Sequence, residues 1–354
     1  MNTVPSIATL ALQVPKVDVH CHLNGCVSPT ALLELARQRG RHIDEPAVRD
    51  AFDLVSATDD DREPKFFRGL DLVAGMLRSP DDLEFVVQAF ARESHAAGLR
   101  YVEMFVNPTA LMRTGMSFVQ VRDGLVAGAR AAAADSGVTI RFIACFLREE
   151  PTDYAEAMLD ELLRHRCDEF IGVGLDGPEY LPISGHDRFI DVFRRAGAAG
   201  FKRTAHLTET SPRDLITCLD HLGCDRIDHG YPVAQDPEMM ARLRDSGVPV
   251  TCCLTITRDI LGPLDARYLA PATHPATLLM NAGIPVTLGT DDPSFVRSDI
   301  GREYLLAAQW YGWSFADLSA MSLRGIEATW LDTVDQRGLR RSFEEELRLL
   351  HSAS

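Results

Sequence analysis

The sequence alternates eight short apolar runs, rich in β-branched residues, with longer segments that have helical spacing. The runs are 17–20, 101–106, 138–147, 171–176, 203–207, 226–230, 248–254 and 284–290. Apolar strands that each precede a helix are typical of a parallel sheet covered on both faces. Eight such units predict a closed (β/α)8 barrel, the TIM barrel, with a doubly wound open sheet as the alternative. No G-x-G-x-x-G follows the first run, so the nucleotide-binding open sheet has little support.

The segments between the runs carry helix signals. Apolar residues recur with the spacing of one helix face at 83, 86, 87 and 90, and at 155, 158, 159 and 162. A capping residue precedes a proline at four predicted helix starts, namely Ser28-Pro29, Ser79-Pro80, Ser211-Pro212 and Asp236-Pro237. We also expect a charged helix after Trp330.

About eighty residues separate the first two runs, which is too long for a simple crossover. We therefore predict an extra helical excursion after strand 1, with residues 40–80 as a lid insertion over the strand ends. The chain contains no linker-like tract, and residues 1–354 are predicted to form a single barrel domain.

Charge and cysteine usage restrict the partners and the compartment. The chain has 36 basic and 51 acidic residues, and the net charge of −15 disfavours binding to nucleic acid or to an anionic membrane surface. The eight cysteines include no C-x-x-C pair, and prolines interrupt the longest uncharged run, 268–290. We expect a cytoplasmic protein with reduced thiols and no membrane span. The sequence favours no particular oligomeric state.

Side chains that bind metals stand at the ends of four predicted strands. They are His20 and His22 on the first, His206 on the fifth, His229 on the sixth, and Asp291 and Asp292 after the eighth. In a barrel these strand ends meet at one mouth. Imidazole and carboxylate are ligands that Zn²⁺ prefers, and three histidines with one aspartate leave room for a water, as a catalytic zinc requires. None of the three lysines ends the fourth strand, so no bridging lysine is expected and one Zn²⁺ per subunit is predicted.

Each signal also has an ordinary structural explanation. Side chains alternate along a strand, so His20 and His22, two residues apart, lie on the same side. Paired histidines without a metal are nevertheless common. His206 is equally compatible with a core role, His229 with a turn, and the Asp291-Asp292 pair with a helix cap. Glu209, three residues after His206, is either a proton donor beside the metal or an ordinary glutamate of a first helical turn. The coincidence of four strand ends favours the catalytic interpretation.

Five motifs in order resemble those of the adenosine deaminase family of zinc-dependent amidohydrolase barrels. They are Val-Asp-Val-His-Cys-His-Leu-Asn-Gly at 17–25, Gly-Leu-Asp-Gly-Pro-Glu at 174–179, His-Leu-Thr-Glu at 206–209, Arg-Ile-Asp-His-Gly at 226–230 and Thr-Asp-Asp-Pro at 290–293. The resemblance extends from about residue 16 to about residue 331.

The resemblance implies a set of site residues. Zinc is expected on His20, His22, His206 and Asp291, with Glu209 as proton donor to the purine N1, His229 and Asp291 acting on the attacking water, and the Gly177 N–H and Asp292 binding the base. The implied reaction is zinc-dependent hydrolytic deamination of a small aminopurine, a 6-aminopurine nucleoside such as adenosine or a 5′- or N6-modified derivative, to the 6-oxopurine and ammonia.

Several positions depart from the family pattern and leave the substrate open. Asn24 resembles the residue at this position in the branch that acts on N6-modified AMP. Residues 103–105 and 146–148 instead resemble those of the adenine deaminase branch. The usual Cys-Pro-x-Ser-Asn reads Cys-Cys-Leu-Thr-Ile at 252–256. Phe66 and Phe67, with Leu70, form either an apolar gate or part of the core. Arg148, Arg258 and Arg297 could bind a 5′ anion. The alternatives are an adenine deaminase, a zinc amidohydrolase cleaving another bond, and a catalytically silent purine-binding relative.

Overall fold

The eight strands form one parallel sheet in the order β1 to β8, in a computed structural model that describes residues 5–177, 186–207 and 211–352. The strands are β1 (Lys16–His22), β2 (Leu99–Val106), β3 (Thr139–Leu147), β4 (Phe170–Asp176), β5 (Lys202–His206), β6 (Arg226–Asp228), β7 (Val250–Cys252) and β8 (Val286–Leu288). The first and last strands meet where the His22 N–H donates to the Asp291 carbonyl at 2.9 Å. The predicted (β/α)8 barrel is confirmed, and each predicted run overlaps one strand.

Helices surround the sheet. They are α1 (Ile7–Gln13), α2 (Leu23–Cys26), α3 (Pro29–Gln38), α4 (Glu45–Ala51), α5 (Asp59–Met76), α6 (Pro80–His95), α7 (Pro108–Met112), α8 (Phe118–Ser136), α9 (Thr152–Arg164), α10 (Ile190–Ala198), α11 (Asp214–Ile216), α12 (Pro237–Ser246), α13 (Leu254–Ile256), α14 (Pro275–Asn281), α15 (Ile300–Tyr311), α16 (Phe315–Glu327) and α17 (Thr333–Ser352). The last is the charged helix expected after Trp330.

Three of the four predicted helix starts are confirmed. The side chains of Ser28, Ser79 and Asp236 cap α3, α6 and α12, each ahead of a proline in the first turn. The start predicted at Ser211-Pro212 is wrong, because α11 begins at Asp214. There the Asp214 and Leu215 N–H groups donate to carbonyls three residues earlier, so the proline lies in a turn before the helix.

The predicted insertion, residues 40–80, contains α4 and α5. Helix α5 contacts α2, which directly follows β1, and the Phe66 ring packs edge-on against Phe295 at 5.2 Å. Phe66 and Leu70 pack against the core, whereas Phe67 is 37% exposed. The core interpretation therefore fits Phe66 better than the gate interpretation. Movement of α5 as a lid stays a prediction.

Strand β1 contains a bulge that sets where its side chains point. Asp18 pairs with Val102 and Cys21 with Met104, so β1 uses three residues where β2 uses two. Asp18 lines a cavity of about 570 Å³ together with residues of α3 and α6. The rings of His20 and His22 instead lie 4.9 and 5.0 Å from the Phe105 ring, on the barrel interior.

The interior end of the barrel away from the histidines is filled by a buried ion pair. Arg226 donates to the Glu103 carboxylate at 2.7 Å, and both side chains are fully buried. The guanidinium stacks 4.1 Å above the Trp330 ring, and Tyr101 and the Trp330 N–H also donate to Glu103. These contacts compensate both charges, so the pair acts as a polar plug.

All eight cysteines are free thiols. Among the described helices, none combines the length and apolar composition needed to cross a bilayer.

We expect Arg226→Met to lower the free energy of unfolding by ~3–5 kcal/mol, because it leaves the Glu103 carboxylate buried without a counter-charge. The double variant Arg226→Met/Glu103→Leu should recover much of this loss. Arg340→Met is the control, since its ion pair with Glu327 is exposed and contributes about 0–1 kcal/mol. Urea unfolding curves measure all three, and equal losses in the two single variants would contradict the role of the plug.

Candidate metal centre

The hydrogen bonds of His20 define which ring nitrogen faces the barrel mouth. Its Nδ1 lies 2.6 Å from the Thr251 hydroxyl, which itself donates to Asp228 at 3.0 Å. The Thr251 oxygen therefore accepts from His20 Nδ1–H, which leaves Nε2 as the ring nitrogen that faces the mouth and can take a metal ion or, without one, a proton. This Nε2 is buried and has no hydrogen-bond partner. A buried acceptor without a donor is costly unless a cation binds it.

His22 and His206 are oriented in the same way. His206 Nδ1 lies 3.1 Å from the Leu175 carbonyl, which can only accept, so Nδ1 carries the proton. His22 Nδ1 lies 3.4 Å from the Asp176 carboxylate. The two Nε2 atoms are 3.2 Å apart. Facing lone pairs at this distance would repel each other, so the pair needs either a proton or a metal ion between the two nitrogens.

Asp291 completes the set. Its Oδ1 is 3.5 Å from His20 Nε2 and 3.3 Å from His22 Nε2, and the ligand atoms of His20, His22, His206 and Asp291 all lie within 4.8 Å of one another. Asp291 and His229 both adopt left-handed backbone conformations, with φ of 62° and 65°. Such strain in non-glycine residues is typical of functional sites, where the surrounding contacts impose it.

The electrostatics of the centre favour a cation. Burial alone would lower the pKa of His20, but Asp228 and Asp291 outweigh it and raise the pKa to about 9. Burial also opposes ionisation of Asp291, yet the neighbouring imidazoles of His20 and His22 hold its pKa well below the usual range. The four residues predicted as ligands are therefore brought together, and their nitrogen and oxygen donors fit Zn²⁺.

Two carboxylates that the sequence analysis quoted only as parts of motifs orient the histidines. Asp228 lies 3.4 Å from His20 Nδ1 and accepts from Thr204 and Thr251. Asp176 faces His22 and accepts from Asn107 at 3.1 Å. Histidines that bind metals usually donate their second nitrogen to such groups. A carboxylate at a strand end beside a histidine of the neighbouring strand was the available signal.

Arg148 braces the ends of β4 and β5. Its Nη2 donates to the His206 carbonyl at 2.7 Å and its Nε to the Asp176 carbonyl at 3.3 Å, and its side chain is buried. The guanidinium therefore holds the backbone that carries two of the site residues. Binding of a 5′ anion by Arg148 stays a prediction, since its buried Nη1 has no hydrogen-bond partner.

His229 and Asp292 stand beside the ligand set. Burial and the nearby positive charge of His20 lower the pKa of His229 well below its usual value, so its imidazole is neutral at pH 7. Its Nε2 lies 3.7 Å from Asp291 Oδ2. Burial raises the pKa of Asp292 to about 8, with His22 opposing and Asp291 adding to the rise. A neutral base and a protonated carboxyl are thus close to one point.

The remaining site predictions have varied outcomes. Asn24 lies in α2, two residues after His22, and is half-buried. The Gly177 N–H donates to Asp176 Oδ1 at 2.6 Å, so it is already engaged within the chain. Phe67 lies on α5 at the surface. Glu209 lies outside the described residues, as do residues 178–185, and its role stays a prediction.

Cys253 is a neighbour of the centre that the sequence analysis did not identify as a ligand. Its Sγ joins His20, His229 and Asp291 in a second group whose ligand atoms lie within 4.8 Å of one another. Glu303 of α15 fixes the following turn by accepting the N–H groups of Leu254 and Thr255. The sequence signal for this neighbour was the departure from the family pattern at 252–256. Only the tertiary structure shows that this segment lies beside the histidines.

Comparison with known proteins gives one family and several relatives. The family model described as adenosine deaminase matches residues 15–346. An adenine deaminase of Streptomyces coelicolor is 30% identical over 342 residues, which is 95% of each chain. An aminodeoxyfutalosine deaminase of the same organism is 30% identical, covering 90% of this chain and 81% of that protein. The crystal structure of a zinc-bound amidohydrolase from Burkhoderia ambifaria has a TM-score of 0.85 at 28% identity, covering 99% of this chain and 96% of that chain.

We expect Asp228→Asn to weaken zinc binding by about 10–100-fold, because the carboxylate orients His20 through Thr251 and raises its basicity. Asp225→Asn is the control, since that carboxylate pairs with the exposed Lys202 before β6. Competition with a chromogenic chelator measures the affinity of both. Zinc affinity in Asp228→Asn equal to that of the control would contradict the assigned role.

Proposed function

This chain belongs to the adenosine deaminase family, and we propose that it hydrolyses the bond between C6 and the amino group of adenine, releasing ammonia and a 6-oxopurine. It is an aminohydrolase, as are the deaminases to which it is similar. One observation carries the proposal. Three imidazole Nε2 atoms and the Asp291 carboxylate converge on one point at the barrel mouth, with His229 beside them.

The predicted ligands His20, His22, His206 and Asp291 hold the cation in this proposal. Bound Zn²⁺ supplies acidification of a water molecule, lowering its pKa from ~15.7 to ~7. His229, neutral and 3.7 Å from Asp291 Oδ2, accepts the proton of the attacking water. Asp291 Oδ2 orients that water from the same side.

The remaining steps involve the purine. Asp292, as a protonated carboxyl, donates a hydrogen bond to a ring nitrogen of the base. Glu209 delivers a proton to N1 as oxygen adds to C6, which leaves a tetrahedral carbon. His229 then returns its proton to the amino group, the hydroxyl proton on C6 passes back to the Glu209 carboxylate as the carbonyl forms, the C6–N bond breaks, and ammonia leaves. Protons and electrons balance without any further reactant.

Arginine side chains that already have partners within the protein favour a substrate without a 5′ phosphate. Arg297 pairs with Asp53 at 2.7 Å, Arg258 pairs with Asp259, and Arg148 is bound to backbone carbonyls. Arg258 and Arg297 are therefore engaged by neighbouring carboxylates, and Arg148 keeps only its Nη1 without a partner. This argues against the AMP-like branch that Asn24 resembles.

The relatives support adenine first and an uncharged nucleoside second. Similarity to an adenine deaminase extends over nearly the whole of both chains. The equal identity to an aminodeoxyfutalosine deaminase favours, as the second candidate, a 6-aminopurine nucleoside modified at its 5′ end. Adenosine itself is also a 6-aminopurine nucleoside and belongs with this second candidate.

We expect ammonia release from adenine at the highest kcat/KM in a panel of adenine, adenosine, a 5′-substituted adenosine and AMP. AMP should be the poorest substrate, because no unpaired arginine of the three meets its phosphate. A coupled ammonia assay measures each rate on zinc-loaded enzyme. AMP as the preferred substrate would contradict the argument from the paired cations.

We expect Glu209→Gln to lower kcat by about 10²–10⁴-fold with bound zinc unchanged, because the amide cannot deliver a proton to N1. Glu238→Gln, in an exposed ion pair on α12, is the matched control and should keep full activity. Metal analysis accompanies the rates. Normal turnover in Glu209→Gln would remove the proton-donor assignment.

A further inference from the structure

Two groups of metal-binding side chains overlap at the barrel mouth. The first is the predicted set of His20, His22, His206 and Asp291, and the second consists of His20, His229, Asp291 and Cys253. In both groups the ligand atoms lie within 4.8 Å of one another, a span that one ion can bridge. Cys253 is the only sulfur donor of either group. We call the second group the thiolate seat.

The shared residues limit the centre to one ion at a time in either complete set. His20 Nδ1 is committed to the Thr251 hydroxyl, so only Nε2 can bind a cation, and one nitrogen lone pair binds one ion. Asp291 faces both sides, with Oδ1 3.3 Å from His22 Nε2 and Oδ2 3.7 Å from His229 Nε2. An ion can therefore lie on the His22 side or on the His229 side.

The backbone around Cys253 is held firmly in place. Its N–H donates to the Tyr231 hydroxyl at 2.9 Å, and Glu303 anchors the next two N–H groups. The Cys253 side chain is fully buried. The backbone that carries the thiol thus keeps its position without needing a metal, which limits the reorganisation that ligation requires.

Charge and softness distinguish the two sets. A divalent cation among three neutral imidazoles and one carboxylate keeps a net charge of about +1, whereas one carboxylate plus one thiolate neutralise it. Buried charges are costly unless they are compensated. Thiolate is a soft ligand and selects soft cations, whereas imidazole and carboxylate also accept harder ones.

We propose that His20, His229, Asp291 and Cys253 form a second metal seat, which a thiophilic divalent cation such as Cd²⁺ occupies in place of the ion bound by His20, His22, His206 and Asp291. On binding, the Cys253 S–H bond breaks, its proton passes to solvent, and a sulfur–cadmium bond forms without any change of oxidation state. The cation also takes the imidazole of His229. If the proposed function holds, this withdraws the base from the attacking water.

The test titrates metal-free, full-length protein with Cd²⁺ and records the ultraviolet thiolate-to-cadmium charge-transfer absorption, with no substrate present. Wild-type protein should develop the band up to one equivalent. Cys253→Ala should lack it and bind cadmium more weakly by at least the ~10-fold that loss of a ligand's hydrogen-bond partner costs a metal site. Cys252→Ala is the matched control, because Cys252 is equally buried next to Cys253 but lies outside the seat.

Cadmium-113 NMR of the wild-type protein gives a second measurement that needs no variant. A shift typical of mixed nitrogen, oxygen and sulfur ligation supports the thiolate seat, and a shift typical of nitrogen and oxygen ligands alone overturns it. A band that persists in Cys253→Ala, or that is absent from wild type, overturns it too. Neither result bears on the deaminase activity, which the zinc-loaded enzyme and the substrate panel test separately.

Discussion

Three imidazole Nε2 atoms directed at one point are the constraint on which the site depends. His22 and His206 place their Nε2 atoms 3.2 Å apart, and His20 adds a buried Nε2 without a partner. Such an arrangement is unfavourable in a neutral interior, since facing acceptors repel. It persists because the opposite nitrogens are held by Thr251, Leu175 and Asp176, and it becomes favourable when a cation binds. The fold therefore preorganises the centre for a metal.

The same contacts close the barrel. The His22 N–H donates to the Asp291 carbonyl and the Asp291 N–H to the His20 carbonyl, so backbone bonds that join β1 to the segment after β8 connect predicted ligands. The bulge in β1 turns Asp18 away from the interior and brings His20 and His22 to it. Below them, Arg226 and Glu103 fill the barrel with a compensated ion pair. The backbone contacts that close the barrel and the contacts that position the predicted ligands thus involve the same strand ends, those of β1 and β8.

Family membership and the local chemistry point to the same class of reaction, and they differ in how closely they define the substrate. In the proposed function, the centre at the barrel mouth acts on the C–N bond. In the same proposal, selection among adenine derivatives depends on the loops around the mouth and on α2, where Asn24 lies two residues after His22. The pairing of Arg297 with Asp53 shows how a surface cation can be committed to the protein rather than to a ligand. Cys253 adds a soft donor on the opposite side of Asp291.

The sequence by itself determined the strands and three of the four predicted helix starts, and it placed the four predicted ligands at strand ends, because these depend on local patterns. Apolar runs are read from neighbouring residues, caps such as Ser28 act within one turn, and strand ends in a barrel share a mouth. Tertiary structure alone decided that β1 bulges, that Asp228 and Asp176 orient the histidines, that Arg148 braces the wall, and that Cys253 lies beside His229. It also showed that the turn at Ser211 delays α11 to Asp214. The reason is physical: these features depend on distances between groups far apart in the chain, and on which nitrogen of each histidine finds an acceptor, and neither is encoded in spacing along the sequence.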